Sequence, residues 1–323
     1  MLSVVLPVFD EAANLRALVA RLVPVLEKLT QGAWEIVFVD DGSRDGSADL
    51  LDTLHGENAR VKVLHFSRNF GHQAALSAGL EAASGQAVVL MDSDLQDPPE
   101  VLESFVERWR AGFDVVYGVR RTRREGLFKR AAYSIFYRTM RRLANIDVPL
   151  DAGDFCLLDR AVVTELVALP ERQRFLRGLR AWVGFRQTGV EYDRDARAAG
   201  APKYTLTGLV RLAISGYVGF SAFPLRASAW LGFAAAATGF LLAVWAIGTK
   251  ILGIDSPQGW ASTVAIVLFL GGVQLLVLGV IGEYLSRVYD EVRARPAYIV
   301  RRRVGFADNV VPAESRRRVP PRG

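Results

Sequence analysis

Two long stretches of the chain carry no charged side chain. Between Arg226 and Lys250 lie 23 residues without Asp, Glu, Lys or Arg, and between Asp255 and Glu283 lie 27. A helix that crosses a bilayer needs roughly 20 apolar residues. The spacing predicts two membrane-spanning helices, over 227–249 and 260–282, joined by the short loop Lys250–Gly259. Such a chain is neither disordered nor a wholly soluble domain. Arginines flank both outer ends: Arg211 and Arg226 before, and Arg287, Arg293, Arg295 and Arg301–Arg303 after. The positive-inside rule puts both flanks in the cytoplasm and the loop outside. Trp230, Trp245 and Trp260 suit interface anchors.

The net charge of +6 is unevenly spread. Residues 120–142 carry a local +8 and residues 301–323 a local +5, so the remainder is net −7. Basic patches suit nucleic acid or an anionic membrane. Beside two spans, the membrane is the expected partner and nucleic acid is not. Over 126–143, Phe128, Ala132, Ile135, Phe136, Thr139 and Leu143 share one helical side, with Arg130, Arg138, Arg141 and Arg142 on the other. That pattern predicts an amphipathic interfacial helix. Residues 201–226 are expected to hold a loop and a second interfacial helix. The arginine-rich tail, 283–323, is expected in the cytoplasm and disordered after Arg301.

The single cysteine, Cys156, excludes an internal disulfide framework and a multi-cysteine metal site. The start, Met1 to Pro7, lacks the basic segment of a signal peptide and reads as a strand.

Before residue 160, short apolar runs alternate with amphipathic stretches. Strands are predicted over Leu2–Val8, Glu35–Val39, Val61–Phe66, Ala87–Met91 and Asp114–Tyr117. Helices are predicted over Glu11–Leu29, Ser47–Leu54, Gly71–Ala83 and Pro99–Arg110. This alternation implies an α/β domain with a mostly parallel sheet, whose ligands bind at the carboxyl ends of the strands. Polar clusters fall at those ends: Asp10-Glu11, Asp40-Asp41, Ser67-Arg68-Asn69 and Asp92–Asp97. The chain has no G-x-G-x-x-G and no P-loop, so a nucleotide must be held by another device. Asp92-Ser93-Asp94 places two carboxylates at i and i+2 beyond an apolar run, where they can share Mg²⁺ or Mn²⁺ with a diphosphate. Gln96 offers a further oxygen. Acidic clusters at Asp40-Asp41 and Asp154 strengthen this reading.

Taken in order, Pro7–Glu11, Val39–Ser43, Ser67–His72 and Asp92–Pro99 carry a resemblance. It continues through Gly153-Asp154-Phe155, Arg174–Gly178, Lys203-Tyr204, Pro224–Arg226 and Gly279–Tyr284 to Arg295–Tyr298. The set resembles inverting family-2 glycosyltransferases of the GT-A fold, most closely the polyprenyl-phosphate branch of dolichol-phosphate-mannose synthases and bactoprenol glucosyltransferases. It covers about residues 1–300.

The resemblance implies a cytoplasmic GT-A domain over 1–200, followed by interfacial helices and a two-helix transmembrane hairpin in the inner membrane, with both termini cytoplasmic. It implies transfer of a hexose, with glucose from UDP-glucose the leading donor, to a polyprenyl phosphate such as undecaprenyl phosphate. The product is a lipid-phosphate sugar for cell-envelope glycosylation. Pro7, Phe9, Glu11, Asp40, Arg68 and Asp92 are expected at the nucleotide, with Asp40 on the base. Asp92, Asp94 and Gln96 are expected to hold a divalent cation, Mg²⁺ or Mn²⁺. Asp154 and Asp94 are the expected catalytic carboxylates. Arg120, Lys129, Arg130 and Lys203 are expected near the acceptor phosphate. A homo-oligomer is compatible with this reading.

Three positions depart from the family pattern. Phe9-Asp10 replaces Tyr-Asn, Cys156 replaces an Arg after Gly-Asp-Phe, and Pro202 replaces a Ser before Lys203. A GDP-mannose-dependent mannose synthase and a catalytically inactive membrane scaffold are the alternatives. A processive synthase is disfavoured by two spans only and by the lack of Q-x-x-R-W.

Overall fold

The computed structural model describes residues 1–121, 152–172, 174–193, 223–251 and 259–306. These form two compact units: 1–121, 152–172, 174–193 and 296–306 belong to the first, 223–251 and 259–295 to the second. The expected helix over 126–143, Lys129, Arg130, Lys203 and the interfacial segment up to residue 222 lie outside the described residues.

The first unit is built on one eight-stranded sheet in the order β7-β5-β6-β4-β1-β2-β3-β8. Its strands are β1 Leu2–Val8, β2 Trp34–Asp40, β3 Val61–Phe66, β4 Ala87–Leu90, β5 Val115–Arg120, β6 Ala152–Asp159, β7 Gln187–Tyr192 and β8 Val300–Val304. β1 lies between β2 and β4 and runs parallel to both, β2 is parallel to β3, and β5 is parallel to β7. Every residue of β1 and of β2 is buried, as a central parallel strand covered on both faces requires. The expected mostly parallel α/β sheet is therefore present. β6 departs from it, running antiparallel between β4 and β5.

Helices cover the sheet: α1 Ala12–Thr30, α2 Ser47–Glu57, α3 His72–Ala82, α4 Leu102–Arg110, α5 Arg160–Ala168 and α6 Leu176–Trp182. α1 buries Leu15, Leu18, Leu22 and Leu26, the i, i+3, i+7, i+11 stripe of an amphipathic helix, into a core with Phe38, Phe105 and Phe155. Pro98-Pro99 opens a 3₁₀ turn, Pro99–Val101, ahead of α4.

One expectation is corrected here. The chain is not disordered from Arg301: β8 pairs antiparallel with β3, setting Leu64 opposite Arg303 and His65 opposite Arg302. Tyr298 stacks on Phe66 with ring centroids 5.0 Å apart, and its hydroxyl donates to Glu81. Long-range contacts thus order a segment whose composition reads as solvated.

The second unit holds two helices packed on one another, α7 Phe223–Ile251 and α8 Trp260–Arg293. At 1.5 Å per residue they extend about 44 and about 51 Å, more than the ~30 Å of a bilayer core. Each is long and apolar enough to cross a membrane, and almost nothing of either apolar window is buried. Trp230, Phe233, Phe240 and Leu275 stand exposed, unlike the buried apolar face of a core helix. α7 starts at Phe223, so the last residues assigned to an interfacial segment are its first turn. α8 runs past Glu283 to Arg293, so the tail begins as helix.

Gly42 turns the chain at the end of β2 with φ of 74°. A Cβ there would lie 2.7 Å from the carbonyl carbon of Arg68 and 2.8 Å from the amide nitrogen of Asn69. Gly42→Ala is expected to cost about 1–3 kcal/mol of stability, read as a lowered denaturation midpoint of the full chain in detergent.

Candidate active site

The parallel strands deliver the ends of β1, β2, β3 and β4 to one edge of the sheet. Because β6 is antiparallel to β4, its start arrives at the same edge: Leu90 pairs with Cys156, so Asp154 lies just beyond, beside the turn that follows β4.

At the end of β1, Asp10 adopts φ of 54°, a left-handed conformation that Asp and Asn share more readily than most residues. The Phe9-Asp10 departure therefore keeps the turn. Asp10 Oδ1 accepts from the Arg44 amide at 2.7 Å, and the Asp10 amide donates to Ser43 Oγ at 3.1 Å. Pro7 is buried, and its carbonyl accepts from Ser93 Oγ at 2.8 Å. Phe9 is half-buried. Glu11 accepts from Asn14 Nδ2 at 2.6 Å.

The end of β2 carries two buried carboxylates with separate tasks. Asp41 accepts from the amides of Phe70 and Gly71 at 2.6 and 2.9 Å, which fixes the approach to α3. Asp40 accepts from the Ser43 amide at 2.9 Å and faces His65 Nδ1 at 2.9 Å. Burial raises the Asp40 pKa, but the His65 and Ser43 hydrogen bonds outweigh it and the net shift is downward. Arg68 is exposed, with its guanidinium 4.0 Å from the centre of the Phe70 ring.

The turn after β4 holds the acidic motif. Leu95 sits at φ of 61° between Asp94 and Gln96, and Asp94 Oδ1 accepts from the Gln96 amide at 3.1 Å. Asp92 is partly open and Asp94 is buried. Among the described residues no group of three or more His, Cys, Asp or Glu side chains forms a self-contained metal cage. Two carboxylate donors at a strand end nevertheless fit a hard divalent cation, because Mg²⁺ and Mn²⁺ sites commonly complete their shell with water and phosphate oxygen.

Asp154 is the most strongly held carboxylate. Arg177 of α6 grips it in a bidentate pair, Nε to Oδ1 at 2.7 Å and Nη2 to Oδ2 at 3.0 Å. His72, at the start of α3, stands between the two acidic positions, with Nε2 3.4 Å from Asp154 Oδ2 and 3.7 Å from Asp92 Oδ1. Burial alone would raise the Asp154 pKa, but the Arg177 charge and the His72 and Arg177 hydrogen bonds hold it far below the usual carboxylate range. Such a group is a weak proton acceptor. Burial likewise lowers the His72 pKa, while Asp154 and Asp92 more than reverse it, so His72 shifts upward. Arg120 lies nearby, its Nε 3.5 Å from Tyr192 Oη, and Tyr192 Oη donates to the buried Asp97 at 2.6 Å.

The structure thus gathers Pro7, Phe9, Glu11 and Asp40 on one side, and Asp92, Asp94, Gln96 and Asp154 on the other. Three partners had no assigned role in the sequence: His72, Arg177 and Tyr192. His72 and Arg177 lie inside motifs that carried the family resemblance, which was the available signal. Tyr192 had none, being placed by a strand pairing. At the Cys156 departure, the guanidinium of Arg180 is buried near the position where the family carries Arg, with Nη1 3.5 Å from the Gly153 carbonyl.

A carboxylate-rich edge on a mostly parallel sheet, followed by an apolar helical pair, defines the class. The glycosyl transferase family 2 model matches residues 3–167, and the GtrB C-terminal hairpin model matches residues 223–288. The chain belongs to glycosyl transferase family 2 and is a glycosyltransferase. It is 43% identical over 305 residues to the uncharacterized glycosyltransferase YkcC of Bacillus subtilis, covering 94% of each chain. It is 38% identical over 302 residues to the prophage bactoprenol glucosyl transferase homolog of Escherichia coli, covering 93% of this chain and 98% of the relative. A glucosyl-3-phosphoglycerate synthase structure from Mycobacterium tuberculosis, solved with Mn²⁺ and UDP, aligns at 21% identity and TM-score 0.48, covering 69% of this chain and 80% of that one.

The Asp154–Arg177 pair has a measurable weight. Arg177→Ala leaves a carboxylate largely buried without its counter-charge and is expected to cost about 3 kcal/mol. Asp154→Asn with Arg177→Gln should recover part of that in the same denaturation assay. Because folding depresses the Asp154 pKa, its stabilisation is present above about pH 4 and is lost as pH falls further. Asp154→Asn should therefore flatten the acid limb of the stability profile.

Proposed function

We propose that this glycosyltransferase moves a hexose from a nucleotide diphosphate to a polyprenyl phosphate, with UDP-glucose as donor and undecaprenyl phosphate as acceptor. One observation carries the reading: similarity to proteins named bactoprenol glucosyl transferase runs through the catalytic sheet and the hairpin together, at 38–39% identity over 93–94% of the chain. An acceptor whose tail stays in the bilayer suits an enzyme with two apolar helices.

In this reading the base end of the donor lies over Pro7, Phe9, Glu11 and Asp40, with Arg68 near the phosphates. Asp92 and Asp94, with Gln96 beside them, hold a divalent cation, which stabilises negative charge on the departing diphosphate. The acceptor phosphate oxygen displaces the nucleotide at the anomeric carbon. A phosphate monoester has a second pKa of about 6, so at pH 7 it arrives largely deprotonated. That chemistry needs no strong base, which agrees with Asp154 being a weak one. Asp154 instead orients the acceptor or the sugar, with Arg177 and His72 fixing its position. Arg120, with Lys129, Arg130 and Lys203, brings the anionic acceptor to the anionic donor through charge-assisted contacts. The enzyme is read as an inner-membrane protein with the catalytic unit and both termini cytoplasmic, making a lipid-linked sugar for the cell envelope.

Three measurements test this. With undecaprenyl phosphate and a panel of UDP-glucose, other UDP-hexoses and GDP-mannose, lipid extraction should recover product from UDP-glucose first. Asp94→Asn should abolish transfer, and full activity in EDTA would sink the cation's role. For topology, a cysteine at Ser256 in a Cys156→Ser background should react with an impermeant thiol reagent in intact cells, whereas labelling of a cysteine at Ser315 would refute the orientation.

A further inference from the structure

Asp40, His65 and Arg302 stand in one row across three adjacent strands. β2 sets Asp40 opposite His65, and β8 sets Arg302 opposite His65 on the other side. His65 and Asp40 are buried, with 5% and 3% of their surface exposed. His65 Nδ1 lies 2.9 Å from Asp40 Oδ2. Its Nε2 lies 3.0 Å from Asp52 Oδ1 of α2 and 3.2 Å from Arg302 Nη2. Arg302 Nη2 also donates to Asp52 Oδ2.

Donor chemistry orders this row. A guanidinium has only donors, so Arg302 serves this row by donating to Asp52 and by setting its charge beside the His65 ring. The His65 ring thus joins Asp40 on one side to Asp52 and Arg302 on the other. The Arg302 charge pairs with the Asp52 carboxylate that the ring also meets. We propose that Arg302 is a positioning residue for the donor: through His65 it sets the hydrogen bond and local charge that hold Asp40 in place at the nucleotide end. The proposal rests on the reading above that Asp40 meets the base. It makes β8, which follows both apolar helices in sequence, part of the nucleotide site.

The test uses the full-length chain in detergent, with UDP and Mg²⁺ as the probe and calorimetry as the readout, alongside donor and acceptor KM. Arg302→Ala is expected to weaken UDP binding and raise donor KM about tenfold, the size of one charged hydrogen bond, with acceptor KM unchanged. Arg302→Lys should recover part of the loss. Tyr298→Phe removes the Glu81 bond of the same segment but keeps the ring, and should leave UDP binding intact. A loss in Tyr298→Phe equal to that in Arg302→Ala would overturn the relay in favour of strand docking alone. Asp40→Asn separates the two layers. If it leaves UDP binding unchanged, the reading of Asp40 fails and the proposal with it. If it weakens binding while Arg302→Ala does not, only the relay fails. The double variant should bind UDP no worse than Asp40→Asn alone, and additive losses would also overturn the proposal.

Discussion

Everything in the catalytic unit depends on parallel pairing around β1. A parallel sheet sends every strand's carboxyl end to one edge, and the backbone groups there lack ladder partners within the sheet. Short polar side chains satisfy them. Asp41 does so for the Phe70 and Gly71 amides, Asp45 for the Ala12 amide and Ser93 for the Pro7 carbonyl. The carboxylates that cap these turns and those available to a cation therefore come from one requirement. The reversal at β6 brings Asp154 to the same edge without a further crossover.

The electrostatics at that edge are graded. Asp154 is locked by a bidentate arginine, while Asp92, more open to solvent, lies 3.7 Å from a histidine. Carboxylates in such unequal settings do not share a task. The locked one is suited to fixing geometry, and the more open one stays accessible from solvent. The positive groups, Arg120, Arg177 and His72, lie on the Asp154 side.

Legibility followed the locality of the signal. β1 and β3 match their predicted bounds, and β2 and β4 match within one residue, because continuous apolar runs between turn residues mark buried strands. β7 was invisible: Gln187–Tyr192 is a half-exposed edge with weak alternation. β8 was read as a solvated tail because Val300–Val304 contains three consecutive arginines. Edge strands tolerate charge, and this one is held by its ladder with β3, by Tyr298 on Phe66 and by Arg302 meeting Asp52, a partner 250 residues away. In the site, the acidic motif and Asp154 were readable from order and spacing. The arginine and histidine that set the behaviour of Asp154 were not, since one-dimensional spacing does not say which cation faces which carboxylate.

The position of β8 in the chain has a consequence for biosynthesis. Ribosomes make the sheet's other seven strands first, then both long apolar helices, and only then the strand that covers β3. Until that strand emerges, β3 presents an open edge and Phe66 lacks its stacking partner Tyr298. Open edges of this kind invite mispairing. Completion of the catalytic unit is thereby deferred until the apolar helices have left the ribosome, so a nascent chain stalled before them carries an unfinished sheet.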